Sequence, residues 1–336
     1  FLPRFPVRMD PDPAVLCILR GAGCGALCRD GRELRLAAAC GFAGPAVAYA
    51  PMRPDAAAEQ LARELGAVFV LDGPQVLPAF APEAAVLLLR QQGPLRISGR
   101  PVMGAPVSSA GMEEAELCRL AAGLHAGGTR TLGLGMSLGD LCMDEGFYPA
   151  VFAQLAETAV RLREKTGLTA KIFDLGGGFG VSCRPDCPGP DLSACAEALR
   201  AQTCALPEAL QGVQLSMSPG RFLAAGGGVL VCRVVAVKPG PTAVLDVSAA
   251  QCLRLEKRGA YHAAAALRTA GRPPLLQQLT TLEQGAPFAR QVLPQLRAGD
   301  PVVIRMLGAD GRSFSCTSER CPAYLLRADG TIEPIE

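Results

Sequence analysis

Short apolar runs alternate with segments of helical periodicity along the first two thirds of the chain. The apolar runs cover residues 5–7, 26–28, 47–50, 68–71, 86–90, 132–137, 172–175 and 213–217. The helical segments cover residues 12–20, 32–40, 56–65, a short stretch near 75, 112–124, 148–164 and 192–202. Eight apolar runs alternating with seven helical segments predict an α/β fold of the (β/α)8 TIM-barrel type, with a doubly wound open sheet as the alternative.

One helical segment shows clearly which of its faces is buried. Between residues 148 and 164, apolar side chains recur at helical spacing, and charged side chains occupy the opposite face. We expect the apolar set to be core rather than part of a ligand site: Tyr148, Phe152, Leu155, Ala159 and Leu162.

The pattern changes after residue 224. Gly226, Gly227 and Gly228 precede β-rich segments at residues 229–237, 243–247, 302–306 and 324–326, which are separated by Pro-Gly and Asp-Gly turn signals. We therefore predict a barrel over residues 1–224 and a smaller, mostly β domain over residues 225–336. The three glycines are interpreted as the hinge between them.

Composition excludes several classes of protein. With 336 residues, 49% hydrophobic content and a formal charge of +2, the chain can bury one large core or two moderate ones. It has neither a run of charge that would favour nucleic acid nor an apolar stretch long enough to span a membrane. It also has no signal peptide, so we expect a cytoplasmic protein.

The 14 cysteines are scattered along the chain, which favours free buried thiols. Cys183 and Cys187 form one loosely spaced pair that would be worth testing as metal ligands. Because the chain contains only two histidines, we expect no metal site.

The most distinctive motif is an apolar run, residues 172–175, that ends in Gly176, Gly177 and Gly178. Glycine allows a ligand to approach the backbone, and free N–H groups at the end of a strand suit an anion such as phosphate. The alternative is a tight strand-to-helix turn that binds nothing. A second loop, Ser218-Pro-Gly-Arg221, follows the next apolar run.

Together the two loops resemble the ornithine, arginine and diaminopimelate decarboxylases, which are fold type III pyridoxal-phosphate enzymes. In that family a Gly-Gly-Gly loop and a Glu-Pro-Gly-Arg loop hold the cofactor. Residues 7–10 are similar to the family's Val-Lys-Ala-Asn strand end, residues 133–140 to its Gly-x-x-x-His-x-Gly-Ser segment, and residues 293–296 to its Leu-Pro-x-Leu segment. The resemblance covers nearly the whole chain and implies a barrel followed by a β domain, as in alanine racemase.

The chain departs from this family at its catalytic positions. Arg8 stands where the family has the lysine that forms the Schiff base with pyridoxal phosphate. A guanidinium stays protonated and cannot replace that amine as a nucleophile. Ser137 stands in place of a histidine that stacks on the ring, and Ser218 in place of a glutamate that holds the ring nitrogen protonated.

The resemblance also implies a phosphate site that is only half retained. Gly176, Gly177, Gly178 and Arg221 match the family, but Asp140 replaces a serine and Asp310 replaces a tyrosine. Two carboxylates beside a dianion would be unfavourable. We therefore expect that the chain binds no cofactor.

In such a family the active site is completed by a neighbouring subunit, through a loop that corresponds here to the region of Glu283. The resemblance thus implies a homodimer, or a heterodimer with an active decarboxylase.

These expectations favour a catalytically degenerate homologue that acts as a regulatory or partner subunit or as a small-molecule binder. A zwitterion such as an amino acid would use Arg8, Asp140, Arg221 and Asp310, unless these charges only pair with one another. The alternative is an active amino-acid decarboxylase or lyase with an atypical site.

Overall fold

The computed structural model describes residues 1–73, 87–92, 96–97, 100–101, 111–128, 131–137, 142–182, 188–248, 251, 262–284, 287–309 and 321–335. The chain divides into two compact units. The first contains Phe1–Gly180 and Gly189–Gly220, and the second contains Val181–Pro188 and Arg221–Glu336. This division falls after residue 220, whereas the sequence places it after residue 224.

Eight parallel strands close into a barrel in the first unit. They are β1 Leu2–Pro6, β2 Gly25–Cys28, β3 Val47–Tyr49, β4 Val68–Leu71, β5 Leu87–Arg90, β8 Leu132–Gly135, β9 Ala170–Asp174 and β10 Gln214–Met217. A short antiparallel pair, β6 Arg96–Ile97 and β7 Arg100–Pro101, lies between β5 and β8 in the chain.

The order of the strands around the barrel is β1, β10, β9, β8, β5, β4, β3, β2. Because β1 pairs with β10 on one side and with β2 on the other, the sheet closes on itself. This confirms the predicted (β/α)8 barrel and excludes the doubly wound open sheet. Four of these strands, β2, β3, β4 and β8, are buried along their whole length, which explains why the sequence shows them as continuous apolar runs.

Helices follow the barrel strands as the periodicity predicts. They are α1 Pro13–Gly21, α2 Gly31–Ala39, α3 Ala56–Glu64, α4 Glu114–Ala126, α5 Phe147–Thr166, α6 Leu192–Cys204 and α7 Gly220–Ala224. An aspartate carboxylate accepts a backbone N–H at the start of four of them: Asp12, Asp30, Asp55 and Asp191. The helix predicted near residue 75 lies outside the described residues.

The apolar face of α5 packs into the core as predicted. Tyr148, Phe152 and Leu155 are almost completely buried, and the Phe152 ring meets Phe173 of β9 edge-to-face at 5.6 Å between centroids. On the outer side of α5, Arg161 and Lys165 both pair with Glu114 of α4. The helix is therefore a structural element of the barrel wall.

The second unit is a six-stranded sheet with the strand order β13, β16, β11, β12, β14, β15, plus a separate hairpin, β17–β18. Its strands are β11 Leu230–Lys238, β12 Thr242–Leu245, β13 Ala264–Ala266, β14 Pro274–Thr280, β15 Ala289–Pro294, β16 Pro301–Ile304, β17 Ala323–Leu326 and β18 Ile332–Ile335. The inward faces form one apolar core that includes Val234, Leu245 and Leu279. A mostly β second unit is thus confirmed.

Among the described residues, no helix is both long and apolar enough to cross a membrane.

Candidate functional site

Charged and polar side chains collect at the carboxyl ends of the barrel strands. Arg8 lies in the 3-10 turn Val7–Met9 directly after β1, Arg29 follows β2, and Arg90 is the last residue of β5. Ser137 and Ser218 follow β8 and β10. Because the carboxyl ends of parallel strands lie on one face of a barrel, all five share the face where barrel enzymes place their active sites.

Four other site residues were predicted: Asp140, Arg221, Glu283 and Asp310. Asp140 and Asp310 are outside the described residues, so the acidic half of the predicted zwitterion site stays a prediction. Arg221 and Glu283 belong to the second unit. There, Arg221 is buried in α7, and Glu283 is exposed in the turn that follows β14.

The three glycines after β9 form a loop that packs tightly against its neighbours. Gly176 has φ +73° and Gly178 has φ +100°, in the region that favours glycine. A Cβ atom on Gly176 would lie 2.3 Å from the carbonyl oxygen of Met136, and one on Gly177 would lie 2.7 Å from that of Ser218. The adjoining backbones therefore require glycine here whether or not a ligand binds.

Hydrogen bonds hold this loop in place. The Ser218 amide donates to the Gly176 carbonyl at 2.7 Å, and the Tyr148 hydroxyl donates to the Gly177 carbonyl at 3.1 Å. The Gly176 amide donates to Asp174 Oδ1 at 3.1 Å, and the Gly178 carbonyl accepts from the Cys142 amide at 2.8 Å.

The same loop leaves two donors available to a ligand. Within the described part of the chain, the amide N–H groups of Gly177 and Gly178 have no hydrogen-bond acceptor. Successive free N–H groups in such a turn form an anion-binding concavity. The loop therefore fits the phosphate of pyridoxal phosphate, and this fit does not need a lysine.

Asp174, the last residue of β9, is a functional candidate that the sequence reasoning missed. Burial raises the pKa of its carboxyl group, and the charges of Arg90 and Arg4 oppose that shift. By accepting the Gly176 N–H, Asp174 shapes the first turn of the glycine loop. The sequence did contain a signal for Asp174, because a carboxylate stands in an apolar run shortly before the glycine loop.

Arg4 is a buried charge inside the barrel. Its guanidinium donates to the Ser216 hydroxyl and, at 2.8 Å, to the Pro45 carbonyl. Burial lowers the pKa of Arg4, and the nearby Asp174 carboxylate opposes this effect. These bonds tie β1 to β10 and to the turn before β3, so we assign Arg4 a structural role.

Three guanidinium groups belong to residues at the carboxyl ends of β1, β2 and β5, and β5 is opposite β1 in the strand order. Arg90 forms an ion pair with Asp72, which follows β4, with 2.7 Å between Nη1 and Oδ1. Burial lowers the pKa of Arg29, and the positive charges of Arg8 and Arg90 lower it further. Neither Arg29 nor Arg90 was predicted from the sequence as a site residue.

The two lysines that the structure describes in the first unit lie away from this face. Lys165 is exposed on α5, and Lys171 is exposed near the start of β9. Lys238 ends β11 in the second unit and bonds to the Gln284 side chain. Lys257 lies outside the described residues.

Comparison with known proteins identifies the family. Residues 1–225 match the model described as "Pyridoxal-dependent decarboxylase, pyridoxal binding domain". The chain is 29% identical to Protein TabA of Pseudomonas amygdali pv. tabaci over 97% of this chain and 79% of that protein. It is 28% identical to a diaminopimelate decarboxylase of Deinococcus radiodurans, over 96% of this chain and 82% of that enzyme.

Solved structures show the same fold at lower sequence identity. A diaminopimelate decarboxylase from M. jannaschii in complex with L-lysine superposes with a TM-score of 0.85 at 17% identity, covering 99% of this chain and 81% of that one. The Helicobacter pylori enzyme complexed with L-lysine gives a TM-score of 0.82 at 18% identity, covering 100% of this chain and 88% of that one.

The family match contradicts the expectation that the chain binds no cofactor. That expectation was wrong because it gave the replaced lysine and the acidic residues Asp140 and Asp310 more weight than the glycine loop. A phosphate group is held by backbone N–H groups and charge, which do not depend on a covalent bond to lysine. The chain belongs to the family of pyridoxal-dependent decarboxylases, through its pyridoxal binding domain.

Proposed function

We propose that this protein binds pyridoxal phosphate without a covalent bond to the chain, and that it does not decarboxylate amino acids by the lysine-dependent route of its family. One observation carries the proposal. The residue after β1 that would carry an amine in the family is Arg8, and in the loop after β9 two backbone N–H groups have no hydrogen-bond acceptor among the described residues.

Arg8 cannot perform the covalent step that a lysine performs. A guanidinium is planar and delocalised, and it has no free amine lone pair with which to form a Schiff base. When pyridoxal phosphate is bound in an active decarboxylase, it serves as the electron sink of the reaction. In this chain, Arg8 instead supplies a fixed positive charge at the barrel mouth.

Ser137 and Ser218 support the same proposal. Ser137 is half-buried and Ser218 is buried, so both lie where a ligand in the barrel mouth could contact them. A hydroxyl group can donate or accept a hydrogen bond, but it carries no charge that would keep a ring nitrogen protonated. Their role in the proposal is to orient a ligand.

The alternative, an active decarboxylase or lyase with an atypical site, needs an amine at the barrel mouth. In the first unit, Lys165 and Lys171 do not supply one, because both are exposed away from the carboxyl ends of the barrel strands. No specific observation favours this alternative.

We also propose that the chain associates with itself or with an active relative. Support comes from the second unit, where apolar side chains are exposed on three strands, β11, β14 and β15: Val231, Val235, Val237, Leu276 and Val292. Large exposed apolar areas mark interaction sites, and the proposed association would cover these side chains.

Equilibrium dialysis with pyridoxal phosphate tests the proposed binding. We expect saturable binding that inorganic phosphate displaces and that Gly177→Ala abolishes, since the added methyl group forces the loop to move. Gly189→Ala is the matched control, because a Cβ there has no neighbour within 4 Å. Absence of saturable binding to the wild-type protein, or equal binding by a folded Gly177→Ala variant, would overturn the proposal.

A further inference from the structure

Two cysteines lie where α1 meets the end of α2. Cys17 belongs to α1, and Cys40 directly follows the last residue of α2. Both are free thiols, but Cys17 is exposed whereas only 6% of Cys40 is exposed. An oxidant in solution therefore reaches Cys17 directly, while the protein shields Cys40.

Contacts on either side of Cys17 hold α1 against the end of α2. The Cys40 thiol donates to the Pro13 carbonyl oxygen, with 3.8 Å between Sγ and O. Arg20 Nη1 donates to the Gly41 carbonyl oxygen at 3.5 Å, and a Cβ on Gly41 would lie 3.1 Å from the same nitrogen. Pro13 and Arg20 of α1 thus both contact the segment that begins at Cys40.

The helical repeat places Cys17 between these two contacts. Residues three or four apart share one face of a helix, and Pro13, Cys17 and Arg20 have those spacings. Side chains in a helix lean towards its N-terminus, so the Cys17 side chain leans over the turn that carries the Pro13 carbonyl. The Cys40 thiol contacts that same carbonyl. The two sulfur atoms are therefore neighbours.

The electrostatic surroundings of Cys40 agree with this geometry. Burial raises the pKa of the Cys40 thiol, and Cys17 raises it further through its charge and through a side-chain hydrogen bond. The Arg20 guanidinium opposes this shift in the pKa of Cys40, and the Asp12 carboxylate adds to it. A buried thiol of this kind is inert towards reagents in solution, so Cys40 reacts only with a sulfur placed beside it.

We propose that Cys17 and Cys40 are a modification site at which a low-molecular-weight disulfide, such as oxidised glutathione, forms a reversible disulfide bond. The Cys17 thiolate attacks one sulfur of that molecule, whose S–S bond breaks, and one thiol leaves. Cys40 then gives up its proton to water, and its sulfur attacks the Cys17 sulfur and displaces the second thiol. Two protein thiols are oxidised, the small disulfide is reduced to two thiols, and these take up the two protons.

The bond would join α1 to the end of α2 and enclose residues 17–40, which contain β2. Closing such a loop removes conformational freedom from the unfolded chain, so the oxidised barrel should be more stable than the reduced barrel. The inference does not depend on pyridoxal phosphate, because neither cysteine belongs to the glycine loop.

Thiol trapping followed by peptide mass spectrometry tests the site in the whole chain. The reduced protein is incubated with oxidised glutathione, its remaining thiols are blocked with N-ethylmaleimide, and it is digested with trypsin without reductant. Digestion leaves Cys17 as the only cysteine of residues 9–20 and Cys40 as the only cysteine of residues 36–63. We expect these two peptides to be cross-linked in the wild-type protein and separated by dithiothreitol.

The variant Cys40→Ser separates the two chemical steps. Glutathione should stay on Cys17, at an occupancy at least about tenfold above that of the wild-type protein, because the sulfur that displaces it is gone. In Cys17→Ser, the shielded Cys40 should carry no glutathione. Cys204 is another exposed thiol, at the end of α6, so Cys204→Ser is the matched control and should leave the cross-link unchanged.

The melting temperature provides a second readout. The oxidised wild-type protein should melt roughly 5 °C or more above its reduced form, and Cys40→Ser should show no such rise. Three results would overturn the proposal: glutathione that stays on Cys17 in the wild-type protein, a cross-link from Cys17 to a cysteine other than Cys40, or a cross-linked protein that melts no higher than the reduced one.

Discussion

The amide N–H of Ser218 donates to the carbonyl oxygen of Gly176 at 2.7 Å, which joins the loop after β10 to the loop after β9. In the same place the Ser218 carbonyl oxygen would lie 2.7 Å from a Cβ on Gly177. The backbones of neighbouring loops therefore hold the glycine loop in a fixed shape, and its free N–H groups are preorganised for an anion.

Gly177→Ala should lower the free energy of unfolding as well as ligand affinity. The new methyl group must push apart two backbones that are hydrogen-bonded through Gly176 and Ser218, and overpacking of this kind costs about 1–3 kcal/mol. Chemical denaturation measures the loss. Gly189→Ala should change stability by no more than about 0.5 kcal/mol, and an equal loss in both variants would contradict the tight packing.

Arg8→Lys should not restore decarboxylation. The substitution returns an amine to the end of β1, but Ser137 and Ser218 still provide neither a stacking ring nor a carboxylate. Release of carbon dioxide from diaminopimelate, lysine and ornithine measures the outcome. The triple variant Arg8→Lys, Ser137→His and Ser218→Glu is the informative companion, and we expect any activity to require all three changes. Turnover by Arg8→Lys alone would show that the two serines are sufficient.

Asp174→Asn should change how stability depends on pH. Burial raises the pKa of Asp174 in the folded protein above its ordinary value of 3.8. At pH values between the ordinary pKa and the raised pKa of the folded protein, the folded state binds more protons than the unfolded state. This group therefore makes the free energy of unfolding fall as pH rises. The asparagine variant should lack that contribution and can still accept the Gly176 N–H. Thermal unfolding from pH 4 to pH 8 measures how stability depends on pH. The same dependence in the variant and the wild-type protein would contradict the raised pKa of Asp174.

The exposed apolar side chains of β11, β14 and β15 should mediate self-association. Val231 and Val292 are each 65% exposed, so their replacement by lysine should leave the sheet core intact. We expect sedimentation velocity at micromolar concentration to show a dimer for the wild-type protein and a monomer for Val231→Lys with Val292→Lys. A wild-type monomer that also fails to bind an active decarboxylase relative would rule out the subunit role.

The barrel could be predicted from the sequence because its strands are buried on both faces and its helices are amphipathic. The first strand begins earlier than predicted, at Leu2, because Pro3 and the buried Arg4 interrupt its apolar run. Arg4 is accommodated only through Ser216 and Pro45, which lie far away in sequence. Periodicity does not reveal such long-range partners.

The second unit was harder to predict because much of its sheet is exposed. The sequence did not predict β13, β14 or β15: β13 consists of alanines alone, and the first three residues of β14 are exposed before Gln277 becomes buried. Tertiary pairing determines these strands more than local propensity does. Arg29 and Arg90 were missed for a similar reason, since the ends of β2 and β5 come to the same face only when the barrel closes.

Borohydride reduction followed by peptide mass spectrometry tests the central claim most directly. The wild-type protein is saturated with pyridoxal phosphate, reduced, and analysed beside an active diaminopimelate decarboxylase that should retain the cofactor on its lysine. The account predicts that this protein binds the cofactor reversibly and carries no reduced adduct on Lys165, Lys171, Lys238 or Lys257. A stoichiometric adduct on any of these lysines would contradict it.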